Sequence, residues 1–244
     1  MKIKNIYNEK LDVTISGDPT NNRAIIYSYG FGGRRGGGYS LSQNIESTFI
    51  KTHQFIRFDF SGYDQSEGLA QDGCLSKHAQ DLNTVIKYVH KNLTLNISII
   101  GHSLGSFILS KANLSNVTQA ILLSPPSSGP DAAKTLKQKL VKRGVKFNPQ
   151  GITYYQLSSG GTQELGKQFW QDLNNLDIDQ ELIKQLTATK ITIIKPLQDE
   201  VAGNKNFTHY QQIKGLSYIS LNGSHDFKDY QHRETLINQL SKLL

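Results

Sequence analysis

Asn96-Ile97-Ser98-Ile99-Ile100, then Gly101-His102-Ser103-Leu104-Gly105, then Ser106-Phe107-Ile108-Leu109-Ser110-Lys111-Ala112 form the stretch from which the rest of the chain can be read. The opening five residues are a short β-branched run with the pattern of a buried strand, and the closing seven have the pattern of a helix. The central G-x-S-x-G lies between them. A sharp strand-to-helix turn puts its middle residue in a strained backbone and tolerates only small neighbours. Gly101 and Gly105 supply that room, so Ser103 Oγ projects at the top of the strand, where a nucleophile is presented.

Working outward, short apolar runs recur with helical patterns between them. Ile3–Ile6 and Leu11–Ser16 read as an opening hairpin. Arg23–Tyr29, Gln54–Phe58, Ala120–Leu123, Ile191–Ile194 and Leu216–Leu221 read as strands beside Ile97–Ile100. Leu75, Ala79, Leu82, Ile86 and Val89 form one apolar stripe on a helix from Cys74 to Lys91, and Tyr230–Leu244 reads as a closing helix. Strands alternating with helices indicate an α/β fold, a mostly parallel sheet with helices on both faces. The alternation breaks from Ser124 to Lys190. There the chain predicts a loop, a basic helix over Asp131–Arg143, a small hairpin within Val145–Leu157, and short helices over Gly161–Leu173 and Asp179–Leu186. A long insertion after a core strand commonly carries a lid or binding surface.

Composition narrows the classes. The 244 residues suffice for one α/β domain with a sizeable core. The formal charge of +7 is spread over scattered lysines, which points to a solvated basic surface rather than a nucleic-acid site. One cysteine, Cys74, permits no internal disulfide and fits a reducing, cytoplasmic setting; its place before an amphipathic run suits a small core or cap-adjacent residue. No Cys/His cluster has zinc spacing, so no metal is expected. The start, Met1-Lys2-Ile3-Lys4-Asn5-Ile6, has no apolar signal region, and no run is long enough to span a bilayer.

A serine hydroxyl needs a base, and the base an orienting carboxylate. Downstream of Ser103, Ile191–Ile194 leads into Lys195-Pro196-Leu197-Gln198-Asp199-Glu200, and Tyr218–Leu221 leads into Asn222-Gly223-Ser224-His225-Asp226-Phe227. Asp199 and His225 thus follow strand ends, where catalytic groups of open α/β sheets collect, in the order Ser, Asp, His. Glu200 is the main rival for the acid, ahead of Asp226, Asp177 and Asp179. His53, His78, His90, His209 and His232 lie in or beside helical patterns, and His102 suits packing at the turn. For a developing oxyanion the expected donors are the N–H of Leu104 and that of Phe31, in the Tyr29-Gly30-Phe31-Gly32-Gly33 loop. That loop lacks the ending of a phosphate cradle, so no cofactor is expected.

Together, Gly30–Gly33, the string Phe58-Asp59-Phe60-Ser61-Gly62-Tyr63-Asp64-Gln65-Ser66-Glu67-Gly68, Gly101–Gly105, Asp199-Glu200-Val201 and His225-Asp226-Phe227 resemble the α/β-hydrolase superfamily. Within it the chain is most similar to the compact serine aminopeptidase, monoacylglycerol lipase and cinnamoyl (feruloyl) esterase group. The resemblance implies a hydrolase core over 1–123 and 191–244 with a cap over 124–190. It implies a serine hydrolase acting on a carboxylic ester, with Ser103, Asp199 and His225 catalytic and 59–68 a structural loop. The implied partner is a small-molecule ester, with no nucleic acid, and the protein a monomer or homodimer. The chain departs from the pattern at Tyr29-Gly30 and Lys195-Pro196, each in place of His-Gly, at Ser106, and in the added Arg34-Arg35-Gly36-Gly37-Gly38.

Two other readings use the same residues. An aminopeptidase would need an acidic anchor, for which Glu164, Asp172, Asp177 and Asp179 are available. A non-catalytic binding homologue would be expected to lack a triad member. Tyr154, Tyr155, Phe169 and Trp170 suit either an acyl pocket or a small core within the cap, and Arg34 and Arg35 suit an exposed loop.

Overall fold

The computed structural model describes residues 1–33, 41–93, 96–156 and 162–244. Arg34, Arg35 and Gly36–Gly38 lie outside the described residues. In chain order the elements are β1 (Lys2–Lys4), β2 (Lys10–Ser16), β3 (Arg23–Ser28), α1 (Leu41–Phe49), β4 (Gln54–Phe58), α2 (Leu75–Asn92), β5 (Asn96–His102), α3 (Leu104–Lys111) and β6 (Gln119–Leu123). Then follow α4 (Gly129–Lys142), β7 (Thr153–Gln156), β8 (Thr162–Leu165), α5 (Lys167–Asn174), α6 (Ile178–Gln185), β9 (Lys190–Pro196), α7 (Thr208–Gln212), β10 (Ser217–Leu221) and α8 (Tyr230–Leu243).

Eight strands form one sheet in the order β1-β2-β4-β3-β5-β6-β9-β10. The pairings from β4 across to β10 are parallel, and the opening hairpin adds β2 and β1 antiparallel at the edge. Alternate residues of a strand face opposite ways. Ala24 and Ile26 therefore pack toward α2 and α3, while Ile25 and Tyr27 pack toward α1 and α8. Helices on both faces are why these strands read as continuous apolar runs. Burying each such Ile or Leu contributes roughly 1.5–3 kcal/mol. The stripe predicted on α2 is buried along its length, and the Cys74 thiol caps that helix by accepting Lys77 N–H at 3.4 Å.

The sheet has a topological switch point. β3 hands the chain to β4 on one side, and β5 hands it to β6 on the other. Strand order reverses between β3 and β5, and open α/β sheets bind ligands outside the carboxyl ends at such a point. Beside this edge the 59–68 loop is pinned to β2 and to α2. Ser66 Oγ donates to Asp59 O at 2.6 Å and accepts Asp12 N–H at 2.8 Å. Buried Asp81 on α2 accepts Ser61 N–H at 2.9 Å, Ser61 Oγ at 2.7 Å and Asn5 Nδ2 at 2.7 Å.

Between β6 and β9 the expected basic helix is α4, but two expectations are corrected. The hairpin is β7–β8, not a fold within Val145–Leu157. Val145 instead closes α4: its N–H donates to Leu140 O and Gly144 N–H donates to Val141 O, a helix stop in which Gly144 sits at φ +77°. The second strand, Thr162–Leu165, occupies residues expected to begin a helix. Gly166 has extended backbone at ψ 170° and presses on Gln71, so α5 starts only at Lys167. Among the described residues, no helix is long and apolar enough to cross a membrane.

Candidate active site

Ser103 joins β5 to α3 with φ +54° and ψ −122°. A non-glycine residue in that region is strained, and packing must hold it there. Ser103 N–H donates to Leu123 O at 2.9 Å, tying the turn to β6. A Cβ on Gly105 would come within 2.2 Å of Ser28 O, so the end of β3 lies directly against the turn. A Cβ on Gly30 would stand 2.9 Å from Ser103 Cβ and 3.5 Å from its Oγ. The loop after β3 therefore crosses over the serine. It closes in a turn, Gly33 N–H to Gly30 O at 3.0 Å, while Phe31 N–H and Leu104 N–H have no hydrogen-bond partner among the described residues.

Phe31 is held from the far side. Its ring stacks on Tyr155 at 5.4 Å and tilts against Phe169 at 6.0 Å. Tyr155, Phe169 and Trp170 are buried in the same core as the sheet rather than in a small core of their own, and Tyr154 is exposed.

His225 and Asp199 meet at the same edge. His225 Nδ1 donates to Asp199 Oδ1 at 2.9 Å, and both side chains are buried. Asp199 Oδ1 also accepts the N–H groups of Val201 at 3.0 Å and Ala202 at 2.7 Å. Burial works to raise the Asp199 pKa. The bonds and charge of His225, Lys195 and Ala202 outweigh it and hold the carboxyl well below the usual carboxylate range. His225 is fixed at its backbone too: Glu200 Oε2 accepts its N–H at 2.9 Å and Ser124 Oγ donates to its carbonyl at 2.8 Å. Glu200, the rival for the acid, thus takes the backbone of His225 while Asp199 takes its ring. Ser124 is one residue past β6 and is itself at φ +51°, so one strand end braces both Ser103 and His225. Ser103 Oγ and His225 Nε2 have no hydrogen-bond partner among the described residues.

The remaining candidates are occupied elsewhere. His102 stands beside His225, ring centroids 5.2 Å apart, with Nε2 3.4 Å from the His225 carbonyl. Burial, reinforced by the His225 ring, pushes its pKa down to about 4, so it is neutral at pH 7. His78 is buried between Phe60 and Tyr63, and His53 lies against Phe49. Asp177 caps α6, and Asp172 accepts Ser76 N–H at 2.8 Å. Asp179 binds His209. Burial raises the Cys74 thiol to about 11, which removes it as a nucleophile at neutral pH. Two contributors escape the sequence reading, Ser124 and Lys195. The signal for Lys195 is a lysine inside an apolar strand, four residues before a carboxylate.

Among the described residues, one group of side chains is compact enough for a metal ion. His102, His225 and Asp226 offer ligand atoms within 4.8 Å of one another. An ion there would take one of the two ring nitrogens of His225, either the one facing Asp199 or the one left for a proton.

No family model matches the chain, and no curated protein matches it by sequence. Solved structures do match it. The esterase Est1E of Butyrivibrio proteoclasticus with ferulic acid bound aligns over 100% of this chain and 98% of its own, at 20% identity and TM-score 0.77. The Pyrococcus furiosus esterase Pf2001 aligns over 100% of this chain and 88% of its own, at 16% identity and TM-score 0.75. The Exiguobacterium antarcticum esterase EaEST aligns over 99% and 98%, at 15% identity and TM-score 0.71. The chain has the α/β-hydrolase fold.

Proposed function

We propose that the protein is a serine hydrolase that cleaves a carboxylic ester of a small or medium acyl group through an acyl-enzyme at Ser103. The observation that carries this reading is the strained Ser103 backbone at the end of β5 with the buried Asp199–His225 pair braced at the same edge. Ser103 Oγ attacks the ester carbonyl while His225 Nε2 takes its proton. Asp199 holds the ring through Nδ1 and stabilises the imidazolium. The N–H groups of Phe31 and Leu104 receive the charge developing on the carbonyl oxygen. The alcohol leaves with the proton from His225. Water, deprotonated by the same nitrogen, then releases the acid and restores Ser103. In this reading residues 124–190 act as a cap whose Tyr155 and Phe169 hold Phe31 in place.

The ferulic acid bound to Est1E makes hydroxycinnamate esters the first substrates to try, beside p-nitrophenyl esters of graded length. A fluorophosphonate probe tests the mechanism. The wild type is expected to gain one adduct, mapped by mass spectrometry to Ser103. Ser103→Ala is expected to lose labelling and about 10⁴-fold or more in turnover. Labelling of a folded Ser103→Ala protein at the same rate would sink the assignment. Comparing an ester with an aminoacyl amide of the same acyl part separates an esterase from an aminopeptidase.

A further inference from the structure

Lys195 has no role in the three-residue reading, yet it is built into the same cluster. It lies in β9 where the strand is buried, and its side chain is 4% exposed. A buried ammonium is tolerated only where its donors are met. Nζ donates to Asp199 Oδ2 at 2.8 Å and to Gly203 O at 2.7 Å, and the centroid of the Phe207 ring lies 4.2 Å away. The two carboxylate oxygens are thereby divided. Oδ1 takes His225 and two backbone N–H groups, and Oδ2 takes the ammonium. An imidazolium at His225 would face an ion pair rather than a lone carboxylate, so it is stabilised less.

We propose that Lys195 is a positioning residue acting through Asp199: it fixes the carboxylate against His225 and keeps the imidazole less basic, so the site stays active to lower pH than an unpaired Asp–His couple would allow. The proposal rests on the serine-hydrolase reading above. Other charged groups face His225 as well. Glu200 accepts its backbone N–H, and Asp226 and Lys228 flank it in its own loop; their side chains are 49%, 42% and 69% exposed and screened by water. His102, at the end of β5, is neutral. Lys139 reaches over from α4, but its Nζ lies against Val201 O at 3.4 Å rather than on the carboxylate. Among the described residues, Lys195 is thus the lysine or arginine in direct contact with the acid.

The test uses Lys195→Met and Lys195→Gln, the second keeping a hydrogen-bond donor without charge. Two readouts are followed: the acid limb of the kcat/KM profile, and the His225 imidazole titrated by ¹⁵N NMR. In both variants the limb and the titration should move to higher pH by at least about half a unit. KM should change little, and kcat on the plateau should fall more in Met than in Gln. A merely structural role would lower activity without moving either midpoint, and unmoved midpoints in folded variants would overturn the proposal. Should neither variant fold, the wild-type Lys195 ¹⁵Nζ signal decides. A protonated ammonium protected from exchange at pH 7 is expected; a neutral amine overturns the proposal. The imidazole titration needs no turnover. An inactive wild type would therefore count against the hydrolase reading alone, and an active one with an unmoved imidazole against Lys195 alone.

Discussion

His225 and His209 each face an aspartate through Nδ1, at 2.9 Å from Asp199 and 2.6 Å from Asp179. By that distance the second pair is the tighter one. The surroundings reverse the comparison. His209 Nε2 lies 2.8 Å from Ser127 O, so both of its ring nitrogens face acceptors and neither is left to take a proton from a hydroxyl. Its side chain and that of Asp179 are 29% and 36% exposed, against 5% and 0% for His225 and Asp199. The His209 pair lines an open surface pocket of about 550 Å³ with Ser127, Asp131 and Asp177, and ties α7 to α6 and to the loop after β6. The His225 pair keeps Nε2 unbonded among the described residues and sits at the strand edge that also carries Ser103. A short His–Asp contact therefore does not by itself set the two pairs apart. What matters is whether the second nitrogen is spoken for and whether water reaches the carboxylate.

The sharpest way to break this contrast is to treat both histidines alike. His225→Gln should cost about 10⁴-fold in kcat with the fold intact, whereas His209→Gln should leave kcat within about threefold and lower the melting temperature by a few degrees. Equal losses in steady-state hydrolysis would erase the distinction. Gly30→Ala, on the loop over Ser103, is next in size. A methyl 2.9 Å from Ser103 Cβ must displace the loop that carries Phe31 N–H, and kcat should fall about 100-fold with little change in circular dichroism. An unchanged kcat would count against the oxyanion role proposed for that loop.

The smallest effect concerns stability against pH. Asp199 has a depressed pKa in the folded chain, so the native state binds fewer protons there than the unfolded state. Its contribution is full above about pH 5 and is lost as pH falls below the unfolded value of about 3.9. Asp199→Asn should therefore melt several degrees below wild type at pH 7, with the gap narrowing toward pH 3. Asp179→Asn should show a smaller gap at pH 7. Calorimetry across that range checks both, and a constant gap for Asp199→Asn would contradict the linkage.

Much of this architecture was legible because its determinants are local. β5 follows from a β-branched run and the apolar stripe of α2 from helical spacing. The turn at Ser103 follows from two small neighbours between a strand and a helix. The β7–β8 hairpin was not legible. Thr162-Gln163-Glu164-Leu165 has weak strand propensity and extends only because it pairs with β7 and lies against Ala70–Asp72. Val145 looked like a strand residue and serves instead to close α4.

Order along the chain and residue type were enough to nominate Ser103, Asp199 and His225, since each follows a strand end and those ends share one edge of a parallel sheet. Neighbours in sequence were beyond that logic. Asp199 and Glu200 are adjacent carboxylates, and only the folded loop directs one to the ring of His225 and the other to its backbone. Lys195 and Ser124 belong with them: an ammonium in an apolar strand and a serine past another strand acquire meaning from partners 4 and 101 residues away. Periodicity and turn chemistry are encoded over a few residues, whereas the bracing of His225 by Asp199, Glu200 and Ser124 depends on which distant segments arrive beside it.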